Sequence, residues 1–376
     1  MTYIPRLFII LLFCSGCSST RSLNISNKSR LQLFGEFEIP HQTTFNHTIV
    51  GGISGIDYDP ETNVYYLISD DPSEHNPSRF YTVKIDLDNN GIGDVRIIGV
   101  DTLKQANGIP FPPATENKHL ASDPESIRYD ALRKQIIWTS EGERILNNNE
   151  IVLQDPAVHV SDRNGRELYR YSIPHHFKAS KEEKGSRHNS SFEGSSFANN
   201  FRHAYVAMEA PLIEDGPLAG TGDSSAIVRI IKFDASTGTS LFQYAYRIDP
   251  VAIRPNPPGS FKINGITEIL WLDKEKLLVV ERSYSTGKQD CVVKLYLTDL
   301  STGLDISKQG SVLNENMVPV KKELLLNTTS LGIFIGNIEG ISRGPELPDG
   351  RQTLIMVTDN NFSPNQRSQV LVFAID

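Results

Sequence analysis

The feature that most constrains this chain is a short stretch that recurs five times. It reads "GISGID" at 52–57, "DPESIR" at 123–128, "SFEGSS" at 191–196, "KINGIT" at 262–267 and "NIEGIS" at 337–342. Aligned on Ser54, Glu125, Glu193, Asn264 and Glu339, successive copies stand about 70 residues apart. Each unit carries period-2 or short apolar runs that read as strands. In the first unit these are "SGIDYD", "NVYYLISD", "RFYTVKID" and "DVRIIGV". Units two to four also show four runs, whereas the fifth shows three and then the chain ends. "LQLFGEFEI" at 31–39 precedes the first unit and has no other home. These features predict an all-β, single β-propeller of four-stranded blades. The repeat count gives five blades, or six if a degenerate blade hides in a long connector. An N-terminal strand would complete the last blade and remove the open edge. Asn164-Gly165, between two strand-like runs, is a hairpin signal.

If the first two strands of each unit form a hairpin, the start of one lies beside the end of the next. Sixteen residues after the marker stand Asp70, Glu141 and Glu209; Glu281 follows Asn264 by seventeen and Asp359 follows Glu339 by twenty. The hairpins would therefore gather Glu125, Glu193, Glu339, Asp70, Glu141, Glu209, Glu281 and Asp359 at one mouth, with Ser54 and Asn264 as neutral oxygen donors. So many carboxylates would repel and raise one another's pKa values unless a cation relieved them. An oxygen-rich donor set suits hard ions, calcium first, and not a zinc-type N/S set. Glu125, Glu193 and Glu339, on the innermost strands, are candidate ligands or general base. The long connections open at the same mouth and carry Arg79, Arg144, Arg282 and Lys288, candidate anion-binding groups. The structural alternative is that the acids bond turn amides or pair with Arg144 and Arg282. His75, His175, His176 and His188 read as solvated loop residues, and "DNNFSPNQRS" at 359–368 as a polar turn or a binding loop.

Net charge is −8 without a basic cluster, so no nucleic-acid footprint is present. Arg6, the apolar run "LFIILLF" and "CSGC" at 14–17 form a targeting segment too short to span a bilayer as a mature helix. It resembles a bacterial lipoprotein signal. The expected division is a signal peptide over 1–16, an acylated Cys17 opening a polar tether over 17–32, and one domain over 33–376. That implies a cell-envelope protein, anchored to a membrane by lipid and facing the periplasm or exterior. Cys291, the one cysteine of the mature domain, reads as a small buried hydrophobe.

"GGISGIDYDPETNVYYLISDD", "DPESIRYD", "SFEGSSFANN", "VAMEAP", "NGITEILWLDKEKLLVVERSY" and "NIEGISRG…LIMVTDNN" together resemble the phytase-like family of secreted propellers, over nearly all of residues 33–376. The resemblance implies a domain with recurring Glu and Asp and a phosphoric-ester hydrolase activity on a small phosphorylated or polar substrate. The competing expectation is a non-catalytic lipoprotein whose mouth binds a glycan, peptide or protein partner. No Gly-rich nucleotide loop and no serine nucleophile elbow is present, which disfavours other chemistries on the same fold.

Overall fold

The computed structural model describes residues 23–88, 90–147, 150–313 and 317–376. The signal segment and Cys17 lie outside the described residues. After β1 (Leu31–Ile39) and a small hairpin of β2 (Thr44–Phe45) and β3 (Thr48–Ile49), the first blade runs β4 (Ile53–Asp59), β5 (Val64–Ser69), β6 (Arg79–Asp88) and β7 (Gly91–Thr102). The second contains β8 (Pro124–Asp130) and β9 (Gln135–Ser140). Hairpin β10 (Glu143–Leu146)–β11 (Ile151–Gln154) interrupts it before β12 (Ala157–Ser161) and β13 (Glu167–Arg170). The third is β14 (Phe192–Ala198), β15 (His203–Met208), β16 (Ala226–Asp234) and β17 (Thr239–Ile248). The fourth is β18 (Lys262–Trp271), β19 (Lys276–Ser285), β20 (Val292–Asp299) and β21 (Lys321–Asn327). The fifth is β22 (Asn337–Arg343), β23 (Gln352–Asp359) and β24 (Ser368–Ile375), with β1 as its fourth strand.

The architecture is a five-bladed propeller with each blade antiparallel throughout. Innermost strands β4, β8, β14, β18 and β22 touch in that order and close on β4. They are buried along nearly their whole length, while outer strands such as β7 alternate, the pattern expected of strands covered on two faces and on one. Closure is as expected: β1 pairs antiparallel with β24 from Leu31↔Ile375 to Ile39↔Ser368. The Asn164-Gly165 turn joins β12 to β13. Gly165 has φ +79°, and a Cβ there would meet the Thr102 carbonyl oxygen at 2.2 Å, so only glycine fits.

One boundary expected from the sequence is corrected. The tether assigned to 17–32 does not extend to residue 32 as free chain. Leu23 and Ile25 are buried in a core with Leu31, Leu354 and Phe373, and Arg30 exchanges backbone hydrogen bonds with Asp376. The long β20–β21 connection folds back so that Ile306 and Val312 pack on Ile227 and Ala245 of the third blade. No helix among the described residues is long and apolar enough to cross a membrane.

Candidate functional site

Each innermost strand carries a β-bulge, at its opening in all but β18. It falls between Ile53 and Gly55, Pro124 and Ile127, Phe192 and Ser195, Ile266 and Glu268, and Ile338 and Gly340. A bulge leaves one residue unpaired and re-aims its side chain. The residue at that place is Ser54, Glu125, Glu193, Thr267 and Glu339 in turn. Where it is an alcohol, it bonds the neighbouring blade: Ser54 Oγ donates to the Glu125 carbonyl oxygen at 2.7 Å, and Thr267 Oγ1 to that of Ile338 at 2.8 Å.

The partner of the residue before each bulge is Ser69, Ser140, Met208, Glu281 and Thr358. The next residue along is Asp70, Glu141, Glu209, Arg282 and Asp359. Blade four therefore departs from the sequence alignment. Its marker is Thr267, not Asn264, and an arginine replaces the expected acid. Glu281, one residue away, faces the opposite side of β19. It accepts hydrogen bonds from Tyr246 Oη at 2.8 Å, the Asp249 amide at 2.8 Å and Asn264 Nδ2 at 3.1 Å, and it pairs with Lys322. Asn264 also donates to the Asp249 carbonyl oxygen. This pair is a strut between blades three and four, outside the acid ring.

Seven of the eight expected acids remain in the ring, and Asp123, two residues before Glu125, joins them. Its presence in "DPESIR" was the available signal. Two sets have carboxylate oxygens within 4.8 Å of one another: Asp70, Asp123 and Glu125; and Glu125, Glu141 and Glu193. Glu125 belongs to both. Glu141 is 2% exposed, its Oε1 accepts the Ser191 amide, and its Oε2 has no hydrogen-bond partner. Opposite them, Arg282 Nη2 stands 3.0 Å from Glu209 Oε1 and 3.4 Å from Glu339 Oε1. Asp359 accepts the Asn361 amide at 2.7 Å.

Burial and mutual repulsion push the ring carboxyls up. Asp70, Glu125, Glu141 and Glu193 lie well above their ordinary values, by burial first and then by neighbouring carboxylates. Burial also raises Glu339 to about 8, and Asp123 and Asp359 to about 6. Beyond burial, the neighbouring Asp123 raises Asp70 further, while Asp70 acts to lower Asp123. These shifts fix a pH dependence. A carboxyl raised in the folded state stabilises the fold while protonated, and that contribution is lost as pH rises from the unfolded pKa through the folded one. The metal-free protein is therefore expected to lose thermal stability between about pH 5 and pH 8. Melting curves in chelator across that window test this, and a flat or rising profile contradicts it.

A mouth cavity of about 460 Å³ adjoins the first set, lined by Asp70, Asp123, Glu143, His75, Lys118 and Phe362. His75 stacks on Phe362 at 4.2 Å, which places the 359–368 segment on the cavity wall. Of the other loop histidines, His188 bonds Glu143 at 2.5 Å, His176 bonds Gln243 at 2.9 Å, and His175 is exposed. Arg79 is not at the cavity surface. It is fully buried, paired with Asp71 at 2.7 Å and bonded to Tyr81 Oη and the Ile49 carbonyl oxygen. Arg144 holds the Ser180 and Glu182 carbonyl oxygens and so braces a loop. Lys288 is exposed in the β19–β20 turn. Of the three expected anion-binding arginines, only Arg282 lies in the ring.

A larger cavity of about 770 Å³ opens at the opposite end, between the turns that join the first two strands of each blade. Arg128 spans the channel above it, donating to the carbonyl oxygens of Ser195 at 2.7 Å and Ile269 at 3.0 Å and pairing with Glu268 at 2.6 Å. Its size does not make it the reactive end, because neither convergent acid set lines it.

The sequence matches, over residues 48–362, the family described as "Phytase-like: Esterase-like activity of phytase". The chain belongs to the phytase-like family. The match spans all five bulged strands that carry the ring of this phytase-like protein. No curated protein matches the sequence. Among solved structures, it is similar to a GH43 β-1,3-galactosidase bound to galactodeoxynojirimycin (11% identity, TM-score 0.46, 89% of this chain and 93% of that one). It is also similar to an endo-1,4-β-xylanase from Bacteroides thetaiotaomicron (11%, 0.45, 85% and 90%) and to the Bacillus subtilis arabinanase Arb43A (11%, 0.41, 86% and 94%). Likenesses this distant carry no argument about chemistry.

Proposed function

We propose that the acid ring is a divalent-cation site, calcium first, at which a small phosphoric ester is hydrolysed. One observation carries this reading: Glu125 is shared by two convergent, largely buried carboxylate sets, and Glu141 Oε2 within them is buried without a partner. A buried carboxylate oxygen left unpaired is costly, and a hard cation is the chemistry that an all-oxygen set satisfies. Glu125, Glu141 and Glu193 would hold one ion, and Asp70, Asp123 and Glu125 a second. When bound, the cation supplies positive charge to phosphoryl oxygens and acidifies a water.

The remaining roles belong to the chain. Asp70 and Asp123 line the 460 Å³ cavity in which an ester would sit, so an ion held by them would face the phosphate. His75 and Phe362 wall that cavity. Lys118, at its rim, is already paired with Glu150 at 2.8 Å. With this excess of carboxylate, the seat suits a monoester or diester bearing one phosphate better than a polyphosphorylated polyol. The test is hydrolysis of p-nitrophenyl phosphate and bis(p-nitrophenyl) phosphate in calcium and in chelator. Calcium-dependent turnover of either supports the reading. Calcium binding without turnover of any phosphoester supports a binding protein instead.

We also propose that Cys17 is acylated and holds the propeller on a membrane of the cell envelope. "CSGC" after the apolar run supports this. Cys17→Ser is expected to move the protein from the membrane to the soluble fraction in its native host, and equal solubility of both forms contradicts the anchor.

A further inference from the structure

The fourth blade breaks the pattern of the ring in one residue. At the position where the other blades place Asp70, Glu141, Glu209 and Asp359, it places Arg282, paired in register with Gly265. We propose that Arg282 is a cation built into the ring, and that it confines divalent-cation binding to the arc formed by blades one to three. The proposal rests on the cation reading above.

Three observations carry it. The guanidinium stands between two acids that would otherwise face each other, 3.0 Å from Glu209 and 3.4 Å from Glu339. Both contacts are made by the same nitrogen, while Nε, buried, has no acceptor. Arg282 is thus held by charge and not by a fitted bidentate fork, as a counter-ion would be. Finally, among the described residues, the acid sets able to converge on an ion all come from blades one to three; Glu209, Glu339 and Asp359 belong to none. The arginine's partners, Glu209 and Glu339, and the converging acids are different residues, and the two arcs meet in blade three, which supplies Glu193 to one and Glu209 to the other. A tethered guanidinium stays charged whether or not calcium is present, so it offsets part of the acid charge of its arc when the other arc is empty.

Three variants test this by isothermal titration with calcium chloride and by melting with and without calcium. Arg282→Glu restores the acid of the other blades and is expected to bind roughly one further ion per chain and to lose more thermal stability in chelator than in calcium. Arg282→Lys keeps the charge and is expected to retain the wild-type stoichiometry. Arg282→Met removes charge at similar bulk, and its calcium-induced rise in melting temperature is expected to exceed the wild-type rise. An extra ion in the Glu variant over at least one in the wild type supports the proposal; a wild-type protein that binds none overturns the cation reading and the confinement with it. Unchanged stoichiometry in the Glu variant overturns it. If that variant fails to fold even in calcium, the Met variant decides: a rise equal to the wild type's overturns the proposal.

Discussion

Replacing Glu125 by glutamine is expected to have opposite effects on the protein without and with calcium. Glu125 is the acid common to both convergent sets, and it is buried among Asp70, Glu141 and Glu193. In chelator, the substitution removes a carboxyl whose ionisation burial and neighbouring charge oppose, so the melting temperature should rise near pH 8. In calcium, the substitution removes an anionic ligand from each set, so the calcium-induced rise should largely vanish. Metal-dependent phosphoester hydrolysis should fall by on the order of 100-fold or more. Glu61→Gln makes the same change in net charge at an exposed turn at the far end. It should alter none of the three measurements. Equal responses of the two variants would show that the ring acids are structural and bulk charge is what matters.

Removal of β1 is expected to cost most of the stability of the fold. Deleting residues 31–39 uncovers the whole of β24, which is otherwise buried along its length, and takes Leu31 and Ile39 out of the core together with the contacts of Phe34 and Phe37. Each buried apolar side chain of this size contributes about 1.5–3 kcal/mol, against a total of about 5–15 kcal/mol for a typical domain. The truncated chain should therefore melt far lower and should self-associate through the exposed β24 edge. A synthetic peptide of residues 31–39 added in trans should recover part of the loss. An unchanged melting temperature would show that the β1–β24 pairing is dispensable.

The blades were legible in the sequence because each repeats the same strand pattern and a bulged innermost strand. Four of the five markers follow directly from that repetition. The fourth did not, because "NGIT" copies "SGID" while the bulge in β18 falls three residues later, at Thr267. Strand faces alternate, so an offset of one residue on β19 exchanges Arg282 for Glu281 and moves an acid from the channel to a strut against Tyr246 and Lys322. The spacing of seventeen in place of sixteen was the trace of this. Asp123 is a second acid at the opening of its strand, two residues before Glu125, and the repeat marks only one acid per blade there. Arg79 and Arg144 were expected in loops but lie in strands, Arg79 opening β6 and Arg144 in the β10–β11 hairpin. A sequence does not show which way such an arginine turns, and their partners Asp71 and Ser180 draw them inward. Leu23 and Ile25 were hidden by the polar residues that alternate with them.

The pairing of Leu31 with Ile375 joins strands from opposite ends of the domain. On the ribosome, β1 has no partner until β24 emerges. Four blades can hydrogen-bond internally as they appear, but the channel, and with it the acid ring, is complete only after β24 is in place. Contacts this distant in sequence form slowly, so a nascent or truncated chain carries the acids without the geometry that makes them bind. On the proposed cation reading, a chain that stops short of residue 368 is expected to bind calcium more weakly than the full chain, which titration of the two with calcium chloride checks.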